Sequence, residues 1–231
     1  MIEHCHIVFF LPGEPAMICQ HAPASLRIAV SFGAFSAPFA DLLAKQRAEE
    51  PGTEIHLTET SFFDQAQGLE DGRYDLAFAI GPAARATLHA EVLWRDQIAV
   101  ALPVRSPLLE FAEIPLQKVM EYPVILWSTE HCDPLGQQVM DLLDLANSAI
   151  NVVDYVKSFE LMAVLVAAGY GIGFAGKQRI YAARSLGIVM RPLAGPPKEL
   201  NIYLLRTQIA PSLPAERLIR RARMLNQMVV S

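Results

Sequence analysis

A chain of 231 residues with 52% hydrophobic content can bury one large core or two smaller ones. Nineteen basic against twenty-four acidic side chains leave a formal charge of −5, which disfavours direct binding to a nucleic-acid backbone. The three cysteines, Cys5, Cys19 and Cys132, are scattered, and no run reaches membrane-spanning length or reads as a signal peptide, so a cytoplasmic protein without disulfides is expected.

Residues 1–24 form an irregular leader with Pro12, Gly13, Pro15 and Pro23. His4, Cys5, His6, Cys19 and His21 have zinc-ligating side chains, but their spacing matches no standard finger or ribbon, so no metal is expected. "LRIAVSF" then reads as a buried strand. Ser36 suits the cap of the next helix, Pro38 its first turn, and Phe39, Leu42, Leu43 and Gln46 share a face. "PGTEIHLTET" is a turn and strand, "SFFDQAQGLEDG" a short helix closed by Gly72, and "RYDLAFAIG" a third strand. Such a β-α-β-α-β series implies a parallel sheet with right-handed crossovers.

Two strands follow, "AEVLWRD" and "QIAVALP", and after "RSPLLEFAEIPLQKVMEYP" a second series begins. It runs strand "VILWS", helix "PLGQQVMDLLDLA", strand "INVVDY", helix "SFELMAVLVAA", strand "GIGFA", helix "GKQRIYAARS" and strand "GIVMRPL". "ELNIYLLR" reads as a crossing strand, and "PAERLIRRARMLNQMVV" as a final amphipathic helix. The arginines of that helix, Arg217, Arg220, Arg221 and Arg223, do not share one face, so acidic neighbours or solvent account for them better than DNA. The predicted fold is α/β with two Rossmann-like lobes joined by two crossing strands. Residues 25–102 and 206–231 make lobe I, residues 103–205 make lobe II, and the crossings fall near 97–103 and 199–206.

"GYGIGFAG" contains a literal G-x-G-x-x-G at Gly171, Gly173 and Gly176. A dinucleotide loop needs a strand, then the glycines as a turn, then a helix. Here a helix comes first, Gly169 stops it, and the later glycines lie within the strand, so no nucleotide cofactor is expected. Enzyme readings are also weak. No serine has a G-x-S-x-G context, no histidine follows His131, and the paired carboxylates Glu49–Glu50 and Glu70–Asp71 sit at helix ends and turns. No catalytic residue is assigned.

Five stretches, in order, carry a family resemblance: "LRIAV", "LLAKQRAEEPGTEIHLTE", "GLEDGRYDLAFAIG", "QIAVALPVRSPL" and "LMAVLVAAGYGIGFA". From about Ser25 onward the chain resembles the effector-binding (substrate-binding) domain of LysR-type transcriptional regulators, which shares its fold with type 2 periplasmic binding proteins. The resemblance implies a small effector in an interlobe cleft. It also implies a homodimer through the helices after the first strand of each lobe, here "FADLLAKQRA" and "QQVMDLLDLA". DNA contact in that family belongs to an N-terminal helix-turn-helix. Residues 1–24 do not resemble one, so this chain alone is not expected to bind an operator. Many members have a proline at the end of the strand in "GFAGKQRI", where Ala175 and Gly176 stand here. Two alternatives share the fold: a solute-binding receptor, which would need an export signal, and a truncated regulator acting by mixed dimerisation.

In an open parallel sheet, ligands sit at the carboxyl ends of the strands, facing helix N-termini. That rule and the resemblance together select Ser31, Phe32, Gly33 and Ser36, then Thr60 and Ser61, then Ile80 and Gly81 in lobe I. In lobe II they select Ser128, Thr129, Tyr155, Ser158 and Ala175. Each hydroxyl has a simpler reading as a turn or helix cap. With no arginine or lysine expected to converge on them, the set suggests a small effector, neutral or singly anionic, possessing a carboxylate or similar group. Phe32, Phe35 and Trp127 favour an apolar or aromatic part.

Overall fold

The computed structural model describes residues 24–81, 85–128 and 133–230. Its first strand, β1 (Ser25–Ser31), shows why the sheet is covered on both faces. Leu26, Ile28 and Val30 enter one core and Ala29 a second, as the two-residue period of a strand requires. β3 (Leu76–Ile80) repeats this, with Leu76, Phe78 and Ile80 on one side and Ala77 and Ala79 on the other. The alanines leave room for α2 (Phe62–Glu70), whose Ala66 and Leu69 complete the smaller core. On the opposite face α1 (Ala37–Glu49) buries Phe39, Leu42 and Gln46. β2 (Glu54–Thr60) is the mostly exposed edge.

β1 pairs in parallel with β2 and β3, so the first series forms the expected parallel sheet. β4 (Leu88–Pro103) and β9 (Glu199–Thr207) extend the sheet as antiparallel strands. α7 (Leu213–Val230) returns across this lobe to pack on α1. The expectation of two strands over 90–103 is corrected: β4 is one strand of 16 residues with a bulge between Val92 and Trp94. No turn residue separates Asp96 from Gln97, so the ladder continues through them. Pairing with β9 lasts to Gln97, and from Ile98 onward the partners are β7 and β8. Among the described residues β9 pairs with β3 and β4.

Lobe II places β5 (Val124–Trp127) in parallel between β6 (Val152–Val156) and β7 (Ile172–Gly176). β8 (Ile188–Pro192) flanks β4 on its other side. The helices are the short α3 (Leu116–Val119), then α4 (Asp133–Asp144), α5 (Phe159–Ala167) and α6 (Lys177–Ala182). Gly169 ends α5 as predicted, at φ +83°, with Tyr170 N–H donating to the Leu165 carbonyl at 3.1 Å and Gly169 N–H to Val166 at 2.9 Å. This is a Schellman stop, which needs a left-handed residue. Gly173, of the nucleotide-like motif, is where α5 lies on β7; a Cβ there would overlap Met162. α6 is shorter than expected, because a 3-10 turn over Arg184–Leu186 replaces its last turn. The main core runs unbroken through both lobes along Ile98–Leu102 of β4. No helix among the described residues is long and apolar enough to cross a membrane.

Candidate functional site

The two lobes enclose a cavity of about 130 Å³. A cavity of that size is below the usual range of about 300–1,000 Å³ for ligand pockets, so only a small molecule fits without further opening. Phe32 and Gly33 after β1, and Glu59 near the end of β2, form the lobe I wall. Trp127 ends β5, Leu135 lies on α4, Lys157 and Ser158 follow β6, Phe159 and Glu160 open α5, and Arg179 lies on α6. Carboxyl ends of parallel strands and helix starts meet here, as the topology of an open sheet dictates.

The charge of this cavity corrects the sequence reading. Arg179 and Lys157 both line it, with Glu59 and Glu160. The Arg179 guanidinium carbon lies 4.5 Å from the Phe159 ring centroid, and its Nη2 is 3.7 Å from the Glu160 carboxylate. Stacking on an aromatic face holds the planar fork in one orientation, and five N–H donors allow a ligand oxygen to be bound beside existing partners. Trp127 is fixed by its indole N–H, which donates to the Phe174 carbonyl at 2.6 Å.

The lobes touch at glycines. Gly33 has φ +88°, and a Cβ there would lie 3.1 Å from Ile80 Cδ1, 3.6 Å from Arg179 Nη1 and 3.8 Å from Leu135 Cδ2. A Cβ on Gly81 would lie 3.3 Å from the Pro134 ring. Gly33→Ala is therefore expected to cost about 1–2 kcal/mol, because an L side chain disfavours this left-handed backbone. A lowered urea midpoint at unchanged slope checks it.

Of the residues selected from sequence, Phe32, Gly33 and Ser158 line the cavity. The Ser158 hydroxyl also accepts the Leu161 N–H at 3.2 Å, capping α5. Other hydroxyls serve the fold. Ser31 is 4% exposed and accepts the Ile80 N–H at 3.1 Å, tying β1 to β3. Ser61 caps α2 by accepting the Asp64 N–H at 3.1 Å, and Thr60 donates to the same carboxylate at 3.5 Å. Ser36 starts α1 through its backbone carbonyl, while its hydroxyl is buried without a partner. Ile80 is buried behind Gly33, and Gly81 N–H donates to the Asn201 carbonyl at 3.2 Å. Ser128 N–H continues the ladder to Val156 at 2.8 Å, and its side chain is not in the lining. Tyr155 is exposed on the edge strand β6, and Phe35 packs edge-on against Phe39. Ala175 offers a ligand no surface, being 1% exposed in the strand that pairs with β4. Thr129 and the leader's histidines and cysteines lie outside the described residues. Among the described residues no group of three or more His, Cys, Asp or Glu could hold a metal ion.

The arrangement of lobes and cleft agrees with the outcome of comparison with known proteins. The pattern of the LysR substrate binding domain matches residues 20–225. The chain belongs to this family. Its LysR domain is 27% identical over 132 residues to the "Probable cat1 operon transcriptional activator" of Acinetobacter lwoffii, covering 57% of this chain and 44% of that protein. The chain spans about half the length of the curated relatives it matches. The effector binding domain of QuiR in complex with shikimate superposes with a TM-score of 0.78 at 17% identity, covering 89% of this chain and 98% of that one. The BenM effector binding domain with its effector benzoate gives 0.78 at 18% identity, covering 90% and 95%. The shared architecture is the type 2 periplasmic-binding-protein fold.

Proposed function

We propose that this LysR domain senses a small molecule held between its lobes, and that the molecule combines a carboxylate or similar anion with an apolar part. The observation that carries this is Arg179, stacked on Phe159 and facing the Phe32–Gly33 loop of the other lobe across the cavity. A ligand bound to both walls stabilises one interlobe angle over others, and so shifts the population toward it. The solved neighbours with shikimate and benzoate bound support this reading. DNA contact would belong to a helix-turn-helix segment in a full-length regulator, and the domain would pair with a second copy through α1 and α4. Binding with a change of shape is enough to carry a signal in the cytoplasm.

The test is a thermal-shift panel of small carboxylates including benzoate and shikimate, followed by calorimetry. A ligand at 100 times its dissociation constant should add about 2.7 kcal/mol to the stability. Arg179→Ala should weaken that ligand by about tenfold or more, the value of one charge-assisted pair. A panel that moves nothing, or an Arg179→Ala protein that binds as tightly as the parent, overturns the proposal.

A further inference from the structure

β4 leaves one sheet for the other at a definite step: Gln97 pairs with Glu199 of β9, and Ile98 with Gly176 of β7. The side chain just before that step is Asp96. One of its carboxylate oxygens accepts the Gln97 N–H at 2.8 Å, and the Gln178 N–H lies 3.4 and 3.3 Å from the two oxygens. Gln178 is in the first turn of α6, and the next residue is Arg179 of the cleft. A carboxylate on the crossing strand thus caps the helix that carries the cleft arginine.

The fit depends on Gly176. A Cβ there would stand 2.5 Å from Asp96 Oδ2, so any larger residue displaces the carboxylate. Burial raises the Asp96 carboxyl above its usual range, and the two backbone N–H bonds and nearby Lys177 only partly offset that.

We infer that Asp96 is a positioning residue for the cleft: seated on Gly176 and bonded to the Gln178 N–H, it sets Arg179 against Phe159 from the strand that joins the lobes. Its functional weight rests on the effector reading above, but the placement can be tested without a ligand. The Arg179 Nε–H resonance should carry a ring-current shift from Phe159. In Asp96→Ala that shift should collapse, and exchange of the Gln178 amide should quicken by at least about fivefold. Asp96→Asn keeps an acceptor and should restore both. If Asp96→Ala fails to fold, Gly176→Ala makes the same test by displacing an intact carboxylate. An unchanged Arg179 resonance in these variants overturns the inference. So does a benzoate affinity that stays at the wild-type value while the resonance moves. If the resonance moves as expected but the wild-type chain binds no carboxylate of the panel, the effector reading falls and the placement of Arg179 by Asp96 stands.

Discussion

Phe78→Ala is expected to lower the unfolding free energy by about 3–5 kcal/mol. Phe78 is 1% exposed in the middle of β3. Its ring stacks on Trp94 of β4 at 5.7 Å and 10°, and meets Phe39 of α1 edge-on at 4.9 Å and 65°. The truncation therefore opens a cavity where a helix and two strands converge, and removes two aromatic pairs worth about 0.5–1.5 kcal/mol each beyond burial. The surroundings cannot collapse easily, because Phe39 and Trp94 are themselves held edge-on at 6.4 Å and 71°. For a chain of this size the melting temperature should fall by roughly 10 °C. Phe78→Leu keeps most of the volume and should recover much of the loss. An alanine variant within about 1 kcal/mol of the parent would show that the three rings are not packed as described.

Glu50→Gln is expected to cost on the order of 2 kcal/mol at pH 7, with a loss that fades in acid. The side chain of Glu50 is 15% exposed, and that of Arg221 10%. Arg217 Nε lies 2.5 Å from the Glu50 carboxylate and Arg221 Nη2 2.6 Å, while Arg221 Nη1 donates to Gln46 at 2.7 Å. Burial pushes the Glu50 carboxyl up, but the two guanidinium groups outweigh it and hold it at about 2, against an ordinary 4.5. A carboxyl depressed in the folded state stabilises the protein above the unfolded value, and that contribution is lost as the pH falls through the folded one. The gap between parent and variant should thus be full above about pH 5 and shrink toward pH 2. Glutamine leaves both arginines an acceptor without the counter-charge. Urea unfolding at pH 7, 4 and 2.5 measures the gap, and a gap that ignores pH would mean that the clasp acts by packing.

The clasp also shows what local reading overlooks. Glu49 and Glu50 read as ordinary charges at a helix end, because their partners sit on α7, at the far end of the sequence. The same distance hid the cleft arginine. "GKQRI" is legible as the start of a helix, but Arg179 faces Phe32 only because β7 lies beside β5 and the lobes meet at Gly33. Hydroxyls at strand ends also carry structural bonds that local reading does not show. Ser31 and Ser61 stand at strand ends where ligands bind in this architecture, yet their oxygens already serve Ile80 and Asp64. Ser158 stands at a cap and also at the cavity.

By itself, the sequence determined the succession of strands and helices, the two lobes and the stop at Gly169. These depend on periodicity and on backbone conformations that neighbouring residues impose, and such forces act over a few residues. The tertiary structure alone decided that β4 runs unbroken between the lobes, that Asp96 caps α6, and that the cleft is charged. Those features join groups tens of residues apart, where burial, hydrogen bonding and charge depend on which elements the crossovers bring side by side.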